Sequence, residues 1–232
     1  LEGTPLDNRV FGPLKRNVGS EEQVRAVLRE VLVWLDSPPR RLLNCGMFCI
    51  GTAGISNPGT EVLIRETLAS GGYTGKLLLV GDQETALCGA LGRPAGIVLI
   101  AGTGSICFGR TEDGRTARCG GWGNKIDDEG GGYALGRDAL TAIVRGQDGR
   151  GPKTMLTELV FHQLGIGSIS ELIQFIYAET TRKKEIASLA PLVGIAWEQR
   201  DEAAGEIVNR ACDELALLAE TVADTMHLKT GE

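Results

Sequence analysis

Two short blocks of the chain hold residues that could do chemistry together. Leu99-Ile100-Ala101-Gly102-Thr103-Gly104-Ser105 runs from apolar residues into a glycine turn with hydroxyls. Gly120-Gly121-Trp122-Gly123 and Asp127-Asp128-Glu129-Gly130 follow it. Glycines let a ligand approach the backbone closely, the hydroxyls of Thr103 and Ser105 can donate to phosphate oxygens, and a carboxylate can bind hydrated Mg²⁺ or sugar hydroxyls. Backbone donors, hydroxyls and carboxylates suit phosphate, Mg²⁺ and a polyhydroxyl substrate, which is the inventory of phosphoryl transfer. Alone, the glycine turn reads as an ordinary hairpin; the second glycine cluster and the acids after it argue for a site. Asp82 is the third candidate, placed after the apolar run Lys76-Leu77-Leu78-Leu79-Val80 and Gly81. Open α/β sheets put their sites at strand ends, and a carboxylate there can act as general base on an attacking hydroxyl. The plain alternative for Asp82 is a helix N-cap. For Asp127, Asp128 and Glu129 it is capping and a solvated charge run. Trp122 either stacks on a sugar face or fills a core wedge, the wedge being the simpler reading.

Composition narrows the classes. The chain has 232 residues, 42% of them hydrophobic, enough for one large or two small domains with real cores. A net charge of -6 argues against a nucleic-acid surface, which needs a basic footprint. No apolar run approaches the roughly 18 residues of a membrane span. The opening Leu1-Glu2-Gly3-Thr4-Pro5 has no leader pattern and reads as mid-loop. Cys45, Cys49, Cys88, Cys107, Cys119 and Cys212 show no CxxC pair or repeated spacing, so reduced and mostly buried thiols in a cytoplasmic protein are expected. His162 and His227, each in an amphipathic helical stretch, are too few and too far apart for a zinc site or a triad. Acid–base work therefore falls to carboxylates, and no metal-ligating cluster is expected.

Alternating elements must position these residues. Ser20-Glu21-Glu22-Gln23 is a capping box, with Val24, Val27, Leu28, Val31, Leu32 and Leu35 at helical spacing after it. Asp36-Ser37-Pro38-Pro39 stops that helix. A buried strand is expected over Leu42 to Ile50, a helix over Glu61 to Ala69, a strand over Lys76 to Val80 and a helix over Glu84 to Leu91. That order predicts a three-layer α/β domain. After Arg93-Pro94-Ala95-Gly96, strands at Ile97 to Ala101 and Ser105 to Arg110 make a hairpin, and Asp113-Gly114 marks a second turn. Helices are expected over Tyr133 to Val144, Thr154 to Leu164, Ile169 to Ala178, Glu185 to Trp197 and Asp201 to about Met226. The last has Ile207, Val208, Ala211, Leu215, Leu218 and Val222 to offer a core or a dimer. The boundary falls near Pro94, giving domains 1–94 and 95–232.

These blocks, with Tyr133 and Leu135-Gly136-Arg137-Asp138-Ala139-Leu140, resemble the N-acetylglucosamine kinase branch of the BadF/BadG/BcrA/BcrD ATPase family. The stretches Asp148-Gly149-Arg150-Gly151-Pro152-Lys153-Thr154, Leu156-Thr157-Glu158-Leu159 and Glu185-Ile186-Ala187-Ser188-Leu189-Ala190-Pro191-Leu192-Val193 are similar to bacterial members. The resemblance covers most of the chain from about Asn17. It implies the two-lobed actin/hexokinase-like (ribonuclease H-like) α/β fold with a helical C-terminal part. It also implies ATP-dependent phosphorylation of an amino sugar such as N-acetylglucosamine or glucosamine, with ATP and Mg²⁺, in the cytoplasm and possible as a homodimer. Residue by residue, it implies that Asp82 is the catalytic aspartate, also in contact with the sugar. Gly102, Thr103, Gly104 and Ser105 then form the second phosphate loop, with Thr103 at the nucleotide. Gly121, Trp122, Gly123 and Asp128 fall in the sugar-binding stretch, and Asn17 matches a sugar-binding asparagine, although its spacing to Gly12-Pro13 departs from the pattern.

Members of that family open with an Asp-Gly-Gly-Gly-Thr-Lys-Thr-like phosphate loop and carry a glycine-rich adenosine segment. Neither is in the sequence, so the chain is expected to be an incomplete piece, inactive by itself. Two other classes fit the same broad family. An ATPase activator of a dehydratase or benzoyl-CoA reductase would carry a cysteine just before the phosphate turn, where Ile100-Ala101 stands. A non-catalytic sugar-binding module would not need a base such as Asp82.

Overall fold

The computed structural model describes residues 7–12, 14, 20–38, 42–52, 55 and 59–227. Asn17 lies outside the described residues. The chain divides into two compact units, Leu1–Gly89 and Ala90–Glu232.

The first unit opens on helix α1 (Glu21–Asp36). Ser20 caps it as the sequence requires: the Ser20 side chain accepts from the Gln23 N–H, and the Gln23 side chain accepts from the Ser20 N–H. Val24, Leu28 and Leu32 recur at helical spacing and are buried. They pack with Leu63, Ile64 and Leu68 of α2 (Thr60–Ser70) in one apolar cluster. Strands β1 (Met47–Gly51) and β2 (Lys76–Val80) pair in parallel, with Met47 opposite Lys76 and Gly51 opposite Val80. The chain before β1 departs from expectation. Leu42–Asn44 form a single 3₁₀ turn, so the strand is five residues rather than nine. The β1 strand is only partly buried, with Ile50 its one buried residue. Phe48 of β1 packs edge-on to Tyr73, 4.9 Å between ring centroids. The Tyr73 hydroxyl donates to the Lys76 carbonyl at 2.7 Å, fixing the entry to β2. Helix α3 (Asp82–Leu91) leaves the end of β2 after Gly81 alone.

The second unit begins with an antiparallel meander of β3 (Gly96–Ala101), β4 (Ser105–Arg110) and β5 (Thr116–Gly120), in the order β3-β4-β5. Both expected hairpins are present, with Ala101 opposite Ser105 around the glycine turn and Arg110 opposite Thr116. Five helices of the unit follow: α4 (Gly132–Asp148), α5 (Leu156–Leu164), α6 (Ile169–Tyr177), α7 (Lys183–Ala187) and α8 (Ala190–Glu198). The last, α9 (Glu202–Thr225), is capped by Asp201, whose side chain accepts from the Ala204 N–H. One expected helix, Glu185 to Trp197, is two. The chain turns at Ser188 and Leu189, and Pro191, which has no N–H to give, sits in the first turn of α8.

Leu140, Ile143, Leu156, Val160, Leu172, Val193 and Ile207 form the helical core. The far end of α9 packs on the sheet instead, where Val222 and Met226 meet Cys107 and Ala117. Ile207, Val208, Leu218 and Val222 of α9 thus contribute to cores. No single described helix is long and apolar enough to cross a membrane; α5 with α6 passes by length and composition only as a pair bent by 60°. Leu156, Val160 and Leu172 of that pair are buried in the helical core.

Candidate functional site

In the first unit Asp82 stands at the carboxyl end of β2, as the first residue of α3, and is exposed. Two carboxylates share the start of α3. The Glu84 side chain accepts from the Gly81 N–H at 3.2 Å, and the Glu84 N–H donates to the Gly81 carbonyl. Among the described residues the Asp82 carboxylate accepts only from the Gln83 N–H, at 3.1 Å, which leaves Oδ2 available to a ligand.

The second unit builds a site around the turn between β3 and β4. The turn closes on itself, the Gly102 N–H donating to the Gly104 carbonyl at 2.9 Å. It is then fastened to the start of α4: the Gly132 N–H donates to the Gly102 carbonyl (2.7 Å) and the Tyr133 N–H to the Thr103 carbonyl (2.9 Å). The first N–H groups of a helix need partners outside it, and here the glycine turn supplies two. Gly102 and Thr103 remain exposed.

Asp128 lies against this turn. It is 5% exposed and adopts φ +70°, a left-handed conformation uncommon outside glycine. A Cβ placed on Gly104 would meet the Asp128 carboxylate at 2.5 Å, so only glycine lets the acid rest on the turn. Lys183 Nζ, from α7, donates to Asp128 Oδ2 at 2.6 Å. No buried side-chain polar atom among the described residues lacks a partner, so Oδ1, which accepts no hydrogen bond, must retain surface.

Its neighbours hold the loop. The Arg137 guanidinium forks onto Glu129 (3.2 and 2.9 Å) and also meets Asp138 at 3.0 Å. These acids, Glu129 first, push the Arg137 pKa up, keeping it charged. Asp127 Oδ2 accepts from the Trp122 N–H at 2.8 Å. None of the three acids caps α4, whose N-cap is Gly131.

Two expectations change. Trp122 is 69% exposed and fills no wedge; its ring stacks under the Arg118 guanidinium, 4.2 Å from the centroid. Ser105 is buried, and its hydroxyl donates inward to the Glu129 carbonyl at 2.5 Å, so Thr103 is the exposed hydroxyl of the turn. Gly121 and Gly123 belong to the same outer loop, where the Arg118 side chain donates to the Gly121 carbonyl and the Ile126 and Asp127 N–H groups to that of Gly123. No local pattern points to Lys183, 55 residues from Asp128, or to the Arg137–Glu129 fork, whose partners stand 8 residues apart. Among the described residues no group of three His, Cys, Asp or Glu is placed to hold a metal ion.

A parallel strand pair with helices, an antiparallel meander backed by helices, and a glycine turn seated on a helix start define an α/β protein of the actin/hexokinase-like class. The BadF/BadG/BcrA/BcrD ATPase family model matches residues 21–232, and the chain belongs to that family. It is 39% identical over 219 residues to the N-acetylmuramic acid/N-acetylglucosamine kinase of Clostridium acetobutylicum, covering 94% of this chain and 72% of that one. With the N-acetyl-D-glucosamine kinase of Dictyostelium discoideum it shares 28% over 214 residues, 91% of this chain and 67% of the other. A solved structure from Chromobacterium violaceum, provisionally named an N-acetylglucosamine kinase, superposes with a TM-score of 0.73 at 26% identity, over 91% of this chain and 72% of its own. A second, from Porphyromonas gingivalis, has a TM-score of 0.68 at 21% identity, over 86% and 68%, and supports the fold.

Proposed function

We propose that the chain is an ATP-dependent amino-sugar kinase that transfers a phosphoryl group to a hydroxyl of N-acetylglucosamine or a close relative. The observation that carries this is the 39% identity, over nearly the whole chain, to a kinase named for N-acetylmuramic acid and N-acetylglucosamine. The local geometry is of the kind such a reaction uses: an exposed glycine turn on a helix start, a carboxylate resting on it, and, in the first unit, an exposed carboxylate at a strand end.

Each part then has a task. Thr103, through its exposed backbone and hydroxyl, takes nucleotide phosphate on the turn that the Gly102 bonds hold in shape. Asp128 Oδ1 accepts from a sugar hydroxyl, beside Gly121, Trp122 and Gly123 on the outer loop, where the indole face offers a sugar an apolar surface. Asp82 accepts the proton of the attacking hydroxyl; with no histidine near a strand end, a carboxylate is the available base. Mg²⁺ in such reactions binds mainly through substrate phosphates and keeps several waters, so this protein need not assemble a ligand cluster. It would neutralise charge on the phosphates, supported by the backbone of the turn. The six thiols are unpaired, which suits a reducing cytoplasm.

The test is Asp82→Asn in the full-length protein. Transfer to N-acetylglucosamine should fall on the order of 100- to 10,000-fold, while sugar binding by calorimetry changes little. Wild-type turnover in the variant would remove Asp82 from the role.

A further inference from the structure

The Asp128 carboxylate sits on the backbone of the turn that the proposed function assigns to phosphate. A carboxylate taken out of water needs a charged or hydrogen-bonding partner. Lys183 is the cation that meets it, at 2.6 Å, with 36% of its own side chain exposed. Its flanking residues Arg182 and Lys184 are both exposed.

What turns Lys183 inward is the seating of α7 on α4. A Cβ at Gly136 of α4 would overlap the Ile186 carbonyl of α7, so the two backbones touch where only glycine fits. The Ile186 side chain packs against the helical core. Lys183, three residues earlier, lies on the same face of the helix. The Glu185 side chain accepts from the Arg182 N–H at 2.9 Å and fixes the start of that turn. Gly136 had no task in the sequence beyond its place in a motif; here it sets the position of a charge.

We propose that Lys183 is a positioning residue for substrate binding: it occupies Oδ2 of Asp128, holds that buried carboxylate in place, and leaves Oδ1 as the acceptor for a sugar hydroxyl. This rests on the sugar-kinase reading above. The pairing needs a cation more than a particular shape, so arginine should replace lysine better than any neutral side chain.

The experiment compares Lys183→Met, Lys183→Gln and Lys183→Arg in the full-length protein. Its readouts are KM for N-acetylglucosamine, KM for ATP and kcat, with sugar Kd by calorimetry and folding checked by circular dichroism. The neutral variants should raise sugar KM and Kd on the order of ten- to a hundredfold, with ATP KM within about threefold. Lys183→Arg should recover most of the loss. Adding Lys183→Met to Asp128→Asn should cost nothing further, because the amine then has no charge to hold. Should Lys183→Met fail to fold, Lys183→Gln and Lys183→Arg decide by the same ratio. Unchanged sugar affinity in the neutral variants, or equal losses for sugar and ATP, would overturn the role of Lys183. A wild-type protein that binds ATP but releases no ADP in response to sugar would overturn the kinase reading itself, a separate result.

Discussion

At the scale of single residues, charge and burial decide which groups can react. Asp82 keeps an exposed carboxylate that, among the described residues, meets only the Gln83 N–H, while the Glu84 side chain holds the Gly81 N–H. Asp128 is the reverse case, a buried acid paired with one lysine. Cysteine reactivity follows the same logic. Cys107 is fully buried, and desolvation pushes its thiol up from 9.0 to about 11, whereas Cys49, Cys88 and Cys212 are exposed. That corrects the expectation of mostly buried thiols. Iodoacetamide at pH 8 should therefore label those three in the folded protein and spare Cys107, as peptide mass spectrometry can count. Because the folded pKa lies above the unfolded one, the contribution of Cys107 to stability is complete below about pH 9. It is lost as pH climbs towards about 11. Denaturant midpoints for wild type and Cys107→Ala should converge over that window.

At the scale of elements, close backbone approaches and caps hold the site. Gly104 carries the contact between turn and carboxylate, so Gly104→Ala must displace Asp128. An overpacking cost of about 1–3 kcal/mol is expected, lowering Tm by roughly 2–10 °C in calorimetry. Asp201 does three jobs at once: it accepts from the Ala204 N–H, the Met155 N–H and the Thr154 hydroxyl, tying the start of α9 to the start of α5. Asp201→Ala loses a cap and strands two donors, so about 2–4 kcal/mol of destabilisation is expected. A denaturation midpoint unchanged by that substitution would show that water replaces the carboxylate at no cost. Local signals of this kind were legible in the chain. The Ser20 capping box, the Lys76–Val80 strand and the two hairpin turns are each written in a few adjacent residues, and each forms as read. The misreadings came where tertiary contacts choose between options. Leu42–Asn44 is apolar enough for a strand yet winds into a 3₁₀ turn, and Glu185–Trp197 keeps helical spacing across a break that Pro191 helps to set.

At the scale of the whole molecule, the candidate site was legible as an inventory and not as a geometry. The glycine turn and Asp128 stand 24 residues apart from Gly104, and adjacency in space was implied only by their chemistry. What brings them together is α4, whose first N–H groups clasp the turn while Arg137 clasps Glu129. Lys183 joins from 55 residues beyond Asp128, a distance no local pattern spans. Family membership and the kinase relatives supply the reaction that this arrangement serves. The most direct test is a coupled assay on the full-length protein with ATP and Mg²⁺, comparing ADP release with and without N-acetylglucosamine and following the sugar by mass spectrometry. The account predicts ADP release that depends on the sugar and matches a sugar phosphate one for one. ATP hydrolysis indifferent to sugar, with no phosphorylated sugar formed, would contradict it.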